Sequence, residues 1–128
     1  MANFKEAFDK VIFNEGGYVN DPDDKGGETY MGISRKAHPN AIIWKHIDKI
    51  TAKYKTFATI TKHLKQNAEL TKEIECIYKS DYWMPFNLDK ENSQRLANQI
   101  FDSAVNRGIN ATKNSLNRVR NELKMVKG

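Results

Sequence analysis

Phe4, Ala7, Phe8, Val11 and Ile12 recur at steps of three and four, with polar residues between them. This spacing gathers the apolar side chains on one face of a helix, and Asn3 stands where a capping oxygen is needed. The predicted helix ends on Glu15, because Gly16 and Gly17 follow at once. From Gly16 to Gly32 the helical period dissolves into Gly, Asp and Pro. Tyr18, Val19, Thr29, Tyr30 and Ile33 surround the turn sequence Asp-Pro-Asp-Asp-Lys-Gly-Gly, which predicts a short β-hairpin. Ser34 reads as the cap of a short helix that Pro39 stops. Ile42, Ile43, Ile47 and Ile50 mark another segment. Helical runs are then expected from Thr56 or Thr59 to Gln66, and from Thr71 to Tyr82 with Ile74, Ile77, Tyr78 and Tyr82 inward, closed at Pro85. Ser93 caps a strong helix with Leu96, Ile100, Phe101, Ala104 and Val105 on one face and Gly108 at its stop. Asn110 opens a final helix carrying Leu116, Val119 and Leu123. The expected fold is mainly α, with a small β-hairpin element after the first helix.

Length adds that residues 1–128 form one domain, large enough to bury a core without staples. Hydrophobic residues at 39% and charged residues at 29% are ordinary for a globular chain, and no apolar run approaches the roughly 18 residues of a membrane span. Membrane insertion is therefore not expected. The first ten residues carry acids and no long apolar core, unlike a secretory signal peptide. A net charge of +5 suits an anionic partner, whether nucleic acid, lipid or cell-wall polymer, and selects none of them. Cys76 has no cysteine to pair with, and its apolar neighbours predict a buried structural thiol.

Asp21, Asp23, Asp24 and Glu28 crowd into the segment after the first helix, which raises calcium first. Counted from Asp21, a calcium loop finds acids at positions one and three and Gly at six, but Lys25 at five and Gly32 at twelve, so its bidentate ligand is missing. His38, His46 and His63 show no paired metal spacing, and no cysteine accompanies them. A phosphate loop fails as well, since Gly-Gly-Glu-Thr-Tyr-Met-Gly lacks the required Gly-Lys-Ser/Thr. No metal or organic cofactor is expected.

Carboxylate chemistry remains. Glycoside hydrolysis needs a protonated carboxyl to donate to the leaving oxygen and a second group to activate water or stabilise the developing cation. Glu15 sits at the negative end of a helix dipole, which disfavours its ionised form, whereas Asp24 lies in a polar glycine-rich turn and stays charged. On spacing alone a plainer reading also stands, in which Glu15 is a solvated residue before a glycine cap and the acids decorate a turn.

A longer pattern carries more. Glu15-Gly16-Gly17-Tyr18, followed by Asp21-Pro22-x-Asp24-x-Gly26-Gly27-x-Thr29-x-x-Gly32-Ile33-Ser34, resembles the opening signature of glycoside hydrolase family 108, the bacterial and phage N-acetylmuramidases or "secretion activator" proteins. Ile77-Tyr78-x-x-x-Tyr82-Trp83 and Phe101-Asp102-x-Ala104-Val105-Asn106-x-Gly108 are similar to that family's downstream segments, so the resemblance spans residues 4–116. It implies a lysozyme-like fold and a muramidase acting on peptidoglycan, made in the bacterial cytoplasm and working at the cell wall or periplasm. It makes Glu15 the catalytic acid. The layout is also similar to phage-type lysozymes, in which the glutamate is followed nine residues later by an aspartate, matched by Asp24, and then by a threonine, matched one residue early by Thr29. Family members continue into a tail associated with peptidoglycan binding, which is expected to be missing here.

Around this site Tyr18 and Tyr30 are the expected substrate contacts. Gly16, Gly17, Gly26 and Gly27 let the backbone turn and approach the sugar, with Gly27 among the substrate-binding positions. Asp102 and Asn106, four apart on one helix face, either brace the loop carrying Asp24 or form a plain surface pair. Trp44, Tyr82, Trp83 and Phe86 read as core before sugar platforms. Lys113, Arg118, Arg120, Lys124 and Lys127 make the last helix basic, most simply a solvated face. A monomer is expected, with no nucleic-acid partner. Two other classes remain: a catalytically silent peptidoglycan-binding or secretion-associated module, and a small basic nucleic-acid binder whose DNA retention would be salt-sensitive.

Overall fold

The computed structural model describes the backbone of residues 1–23 and 25–127, and their side chains except those of residues 13–15 and 123–127. The first helix, α1, runs Phe4–Glu15. Asn3 Oδ1 accepts from the Glu6 amide at 3.3 Å, the capping bond its position predicts. Gly16, at φ +70°, ends the helix in the left-handed region that a side chain would strain. The next three strands, β1 (Tyr18–Asn20), β2 (Glu28–Tyr30) and β3 (Ile33–Ser34), form one antiparallel sheet in chain order.

The predicted hairpin exists, with Tyr18 opposite Tyr30 and Val19 opposite Thr29. The third strand is an addition. β2 and β3 are joined by Met31 and Gly32 alone, at φ +50° and +79°, the paired left-handed geometry of the tightest hairpin turn. Methionine rarely accepts that geometry. Here its side chain is buried and its carbonyl accepts the Tyr78 hydroxyl. The short helix expected after Ser34 does not form. Ser34 ends β3, and its hydroxyl accepts from the Lys36 and Ala37 amides to cap a single turn.

Helices α2 (Ile43–Thr51), α3 (Phe57–Lys65) and α4 (Ala68–Tyr78) follow. Thr56 caps α3. Asn67 caps α4 through the Leu70 amide at 3.1 Å, so that helix starts one turn before the expected Thr71. A π-helical turn at Lys79–Trp83 and a 3-10 turn at Met84–Phe86 extend it into the aromatic cluster, with Pro85 in the stop. Ser93 then caps α5 (Gln94–Arg107), Gly108 ends it, and α6 (Ile109–Lys127) closes the chain. The fold is thus mainly α with a small sheet after the first helix, a lysozyme-like arrangement.

Packing divides the chain into two compact units, Met1–Ala7 with Lys79–Gly128, and Phe8–Tyr78. In the first, Phe4, Trp83 and Phe101 meet edge to face at 5.4 to 5.7 Å, and Ala97 and Ala104 are buried. Leu96, expected inward, is 40% exposed because the buried stripe of α5 runs through Ala97, Ile100, Phe101 and Ala104, and Val119 on α6, also expected inward, is 50% exposed. In the second unit Phe8, Tyr30, Ile43, Ile47, Leu64, Leu70, Ile74 and Tyr78 are almost wholly enclosed. Cys76 is exposed, contrary to the expected buried thiol, since Ile74 and Tyr78 take the inward positions of α4.

Candidate functional site

Two of the predicted catalytic groups are only partly visible. Glu15 is the last residue of α1, but its side chain lies outside the described residues, as does all of Asp24. Thr29 is half-buried at the centre of β2, between Val19 of β1 and Ser34 of β3. Gly27 precedes β2 at φ +62°, and a side chain there would meet Lys36 Cε at 3.3 Å.

Tyr18 and Tyr30 do not offer their rings to a sugar. Tyr30 is 0% exposed and Tyr18 4%, so both belong to the core beneath the sheet, and the expectation of substrate contact is corrected for both. Strand alternation explains the burial, since the two residues are directly opposed across β1 and β2 and point to the same face. Gly17 has also changed role. A Cβ at this position would lie 2.5 Å from Thr61 Oγ1, the same oxygen that accepts the Tyr18 amide at 2.9 Å. Its missing side chain admits α3 against the start of β1.

The sheet is held from one side by a polar network that the sequence did not reveal. The Tyr18 hydroxyl donates to Glu28 Oε2 at 2.6 Å, and Arg35 Nη1 donates to Glu28 Oε1 at 2.7 Å. The same guanidinium grips Asp48 of α2 with two bonds, at 2.9 and 2.7 Å, and lies 5.1 Å from the Trp44 ring centroid. Fork-shaped recognition of two carboxylates is a task for arginine and not for lysine. Burial, reinforced by the Glu28 carboxylate, pushes the Tyr18 phenol up, and the hydrogen bonds from Arg35 hold Asp48 below its usual range. One of the four acids first considered for calcium is therefore a tie between strands. Through Arg35, Glu28 is joined to Asp48 of α2, which lies 13 residues beyond the arginine.

Asp102 and Asn106 lie exposed on α5, and the Asn106 amide donates to Asp102 Oδ1 at 3.0 Å and to its carbonyl at 2.9 Å. They make the predicted pair on one helix face. Trp83 is buried and its indole donates to Asp89 at 2.8 Å, while Trp44 is buried and donates to the His38 carbonyl at 2.7 Å. Both tryptophans are core. A surface cavity of about 320 Å³ in the first unit, bordered by Phe86, Leu88, Ile100, Lys113 and Arg120, contains none of the predicted site residues.

The chain belongs to the glycosyl hydrolase 108 family, whose model matches residues 8–108. No curated protein and no solved structure matches it.

Proposed function

From that membership we propose that the protein is an N-acetylmuramidase, hydrolysing the bond between N-acetylmuramic acid and N-acetylglucosamine in peptidoglycan. Glu15 is the proton donor in this reading. As the last residue of α1 it stands at the end where unpaired carbonyls repel negative charge, which favours the protonated carboxyl that the leaving oxygen requires. Asp24 remains ionised and, with Thr29, positions water or stabilises charge at the anomeric carbon. Thr29 and Gly27 lie on a hairpin pinned through Glu28 and Arg35, so the elements flanking Asp24 are held on a rigid base.

The observation that carries the reading is the family match across residues 8–108, which contains the whole segment from Glu15 to Ser34. The net charge of +5 suits an anionic wall polymer among other anionic partners, and no helix among the described residues is long and apolar enough to cross a membrane. The protein acts at the cell wall as a single lysozyme-like domain, monomeric, with no nucleic acid as partner. Asp102 and Asn106 are not catalytic groups in this reading.

The test compares the full chain with Glu15→Gln on purified sacculi, following release of reducing ends. A loss of at least about 100-fold is expected for removal of the general acid. Equal turnover in both proteins refutes the assignment of Glu15. Binding to sacculi without turnover by either protein replaces it with the silent wall-binding module.

A further inference from the structure

In the second unit, α2 and α4 bring together three side chains that lie far apart in sequence. His46 projects from α2, and Glu69 and Glu73 from successive turns of α4. One potential ligand atom from each lies within 4.8 Å of the other two. His46 Nε2 lies 3.5 Å from Glu73 Oε1. Zinc–nitrogen and zinc–oxygen bonds of about 2.0–2.2 Å at tetrahedral angles set neighbouring ligand atoms about 3.4 Å apart. The pair is therefore already spaced as two corners of a zinc polyhedron.

Two further observations point to a cation. Glu73 Oε2 is buried and has no hydrogen-bond partner among the described residues. A buried carboxylate oxygen of this kind is costly unless something positive meets it. Glu69 and Glu73 are four apart on one helix, where like charges repel. A dication between them removes that repulsion.

We propose that His46, Glu69 and Glu73 form a binding site for a first-row transition dication such as Zn²⁺, which clamps α2 to α4. An imidazole with two carboxylates suits such a metal better than the all-oxygen sets of calcium or magnesium. Its place in the fold gives the clamp a reach beyond the two helices. α2 also carries Asp48, the anchor of Arg35, and through Arg35 the hairpin of β2 and β3. The histidines show no metal spacing in sequence because the partners of His46 come from another helix.

The second nitrogen of His46 sharpens the inference. Nδ1 faces Asn67 Nδ2 at 3.4 Å, while Asn67 Oδ1 accepts the Leu70 amide. Metal on Nε2 shifts the ring proton to Nδ1, which then faces a donor amide. Aspartate at position 67 keeps the helix cap and gives that proton an acceptor, the arrangement that orients metal-bound imidazoles elsewhere.

The experiment uses the full chain carrying Cys76→Ser, which removes the exposed thiol as a competing ligand, stripped with EDTA and titrated with ZnCl2. Calorimetry reads the affinity, thermal unfolding the stabilisation, and circular dichroism confirms that each variant is folded. One equivalent of Zn²⁺ is expected to bind and raise the melting temperature. His46→Gln and Glu73→Gln each weaken binding by about tenfold or more, and Asn67→Asp tightens it by about tenfold. No stabilisation of the parent, equal affinity in His46→Gln and Glu73→Gln, or weaker binding by Asn67→Asp overturns the proposal. None of these readouts depends on glycosidase activity.

Discussion

Each unit has an apolar core of its own, and the second adds a directional polar tie around its short strands. In the unit of Met1–Ala7 and Lys79–Gly128, three aromatic rings, Phe4, Trp83 and Phe101, interlock edge to face, and the tryptophan's single polar atom is satisfied by Asp89. In the unit of Phe8–Tyr78, the strands that flank the proposed catalytic segment are too short to bury much surface, and one guanidinium shared by Glu28 and Asp48 ties the hairpin to α2. Apolar packing is non-directional and tolerates approximate geometry, whereas the arginine fork fixes angles as well as distances. A loop that must hold carboxylates in register with a sugar benefits from the second kind of support.

The comparison breaks most visibly at Trp83. Trp83→Ala empties the centre of the aromatic cluster and is expected to cost about 3–5 kcal/mol, read from the urea midpoint. A loss below about 1 kcal/mol would mean that the rings are not the principal support of their unit.

Arg35→Met comes next, at about 1–3 kcal/mol, because Glu28, with 13% of its side chain exposed, keeps only Tyr18 as a partner among the described residues. This variant also carries a pH signature. Asp48 titrates below its usual range in the fold, so its contribution is present above about pH 4 and is lost as pH falls through the lowered folded value. Its side chain is half exposed and solvent screening keeps that share to a fraction of a kcal/mol. The parent is expected to lose this small increment on acidification and Arg35→Met is not; identical acid limbs would count against the network.

The smallest effect has the opposite sign. The Tyr30 hydroxyl is buried and has no partner among the described residues, so Tyr30→Phe is expected to stabilise by up to about 1 kcal/mol. Burial pushes this phenol up to about 12. Its share of stability is whole below about pH 10, where the unfolded phenol begins to ionise, and drains away as pH rises toward the folded value. Tyr30→Phe should therefore show a shallower alkaline decline in thermal-unfolding scans. A destabilised phenylalanine variant would reveal a bond to this hydroxyl.

Much of this molecule was legible in the chain because the relevant signals are local. The period of Phe4 to Ile12, the caps Asn3 and Ser93, and the stops at Gly16 and Gly108 depend on residues within one turn of each other, and all are found where their positions imply. The existence of the hairpin follows equally from turn composition and strand alternation. The misreadings share a different cause. Tyr18 and Tyr30 looked like sugar contacts because they flank the acidic turn, yet which face of a two-sided sheet is covered depends on helices far along the chain. Gly17 looked like a turn residue, and its reason is Thr61. Cys76 looked inward from its neighbours, while α4 turns Ile74 and Tyr78 to the core.

By itself, then, the sequence determined most of the helices, several of their ends, the hairpin and the family, since these rest on short-range hydrogen bonding, hydrophobic period and an ordered motif. Only tertiary structure decided that Arg35 would join Glu28 to Asp48, that Met31 would occupy a left-handed turn, and that His46 would meet Glu69 and Glu73. Such meetings arise when separate helices pack, and pairwise spacing along a chain does not encode the direction in which a distant side chain arrives.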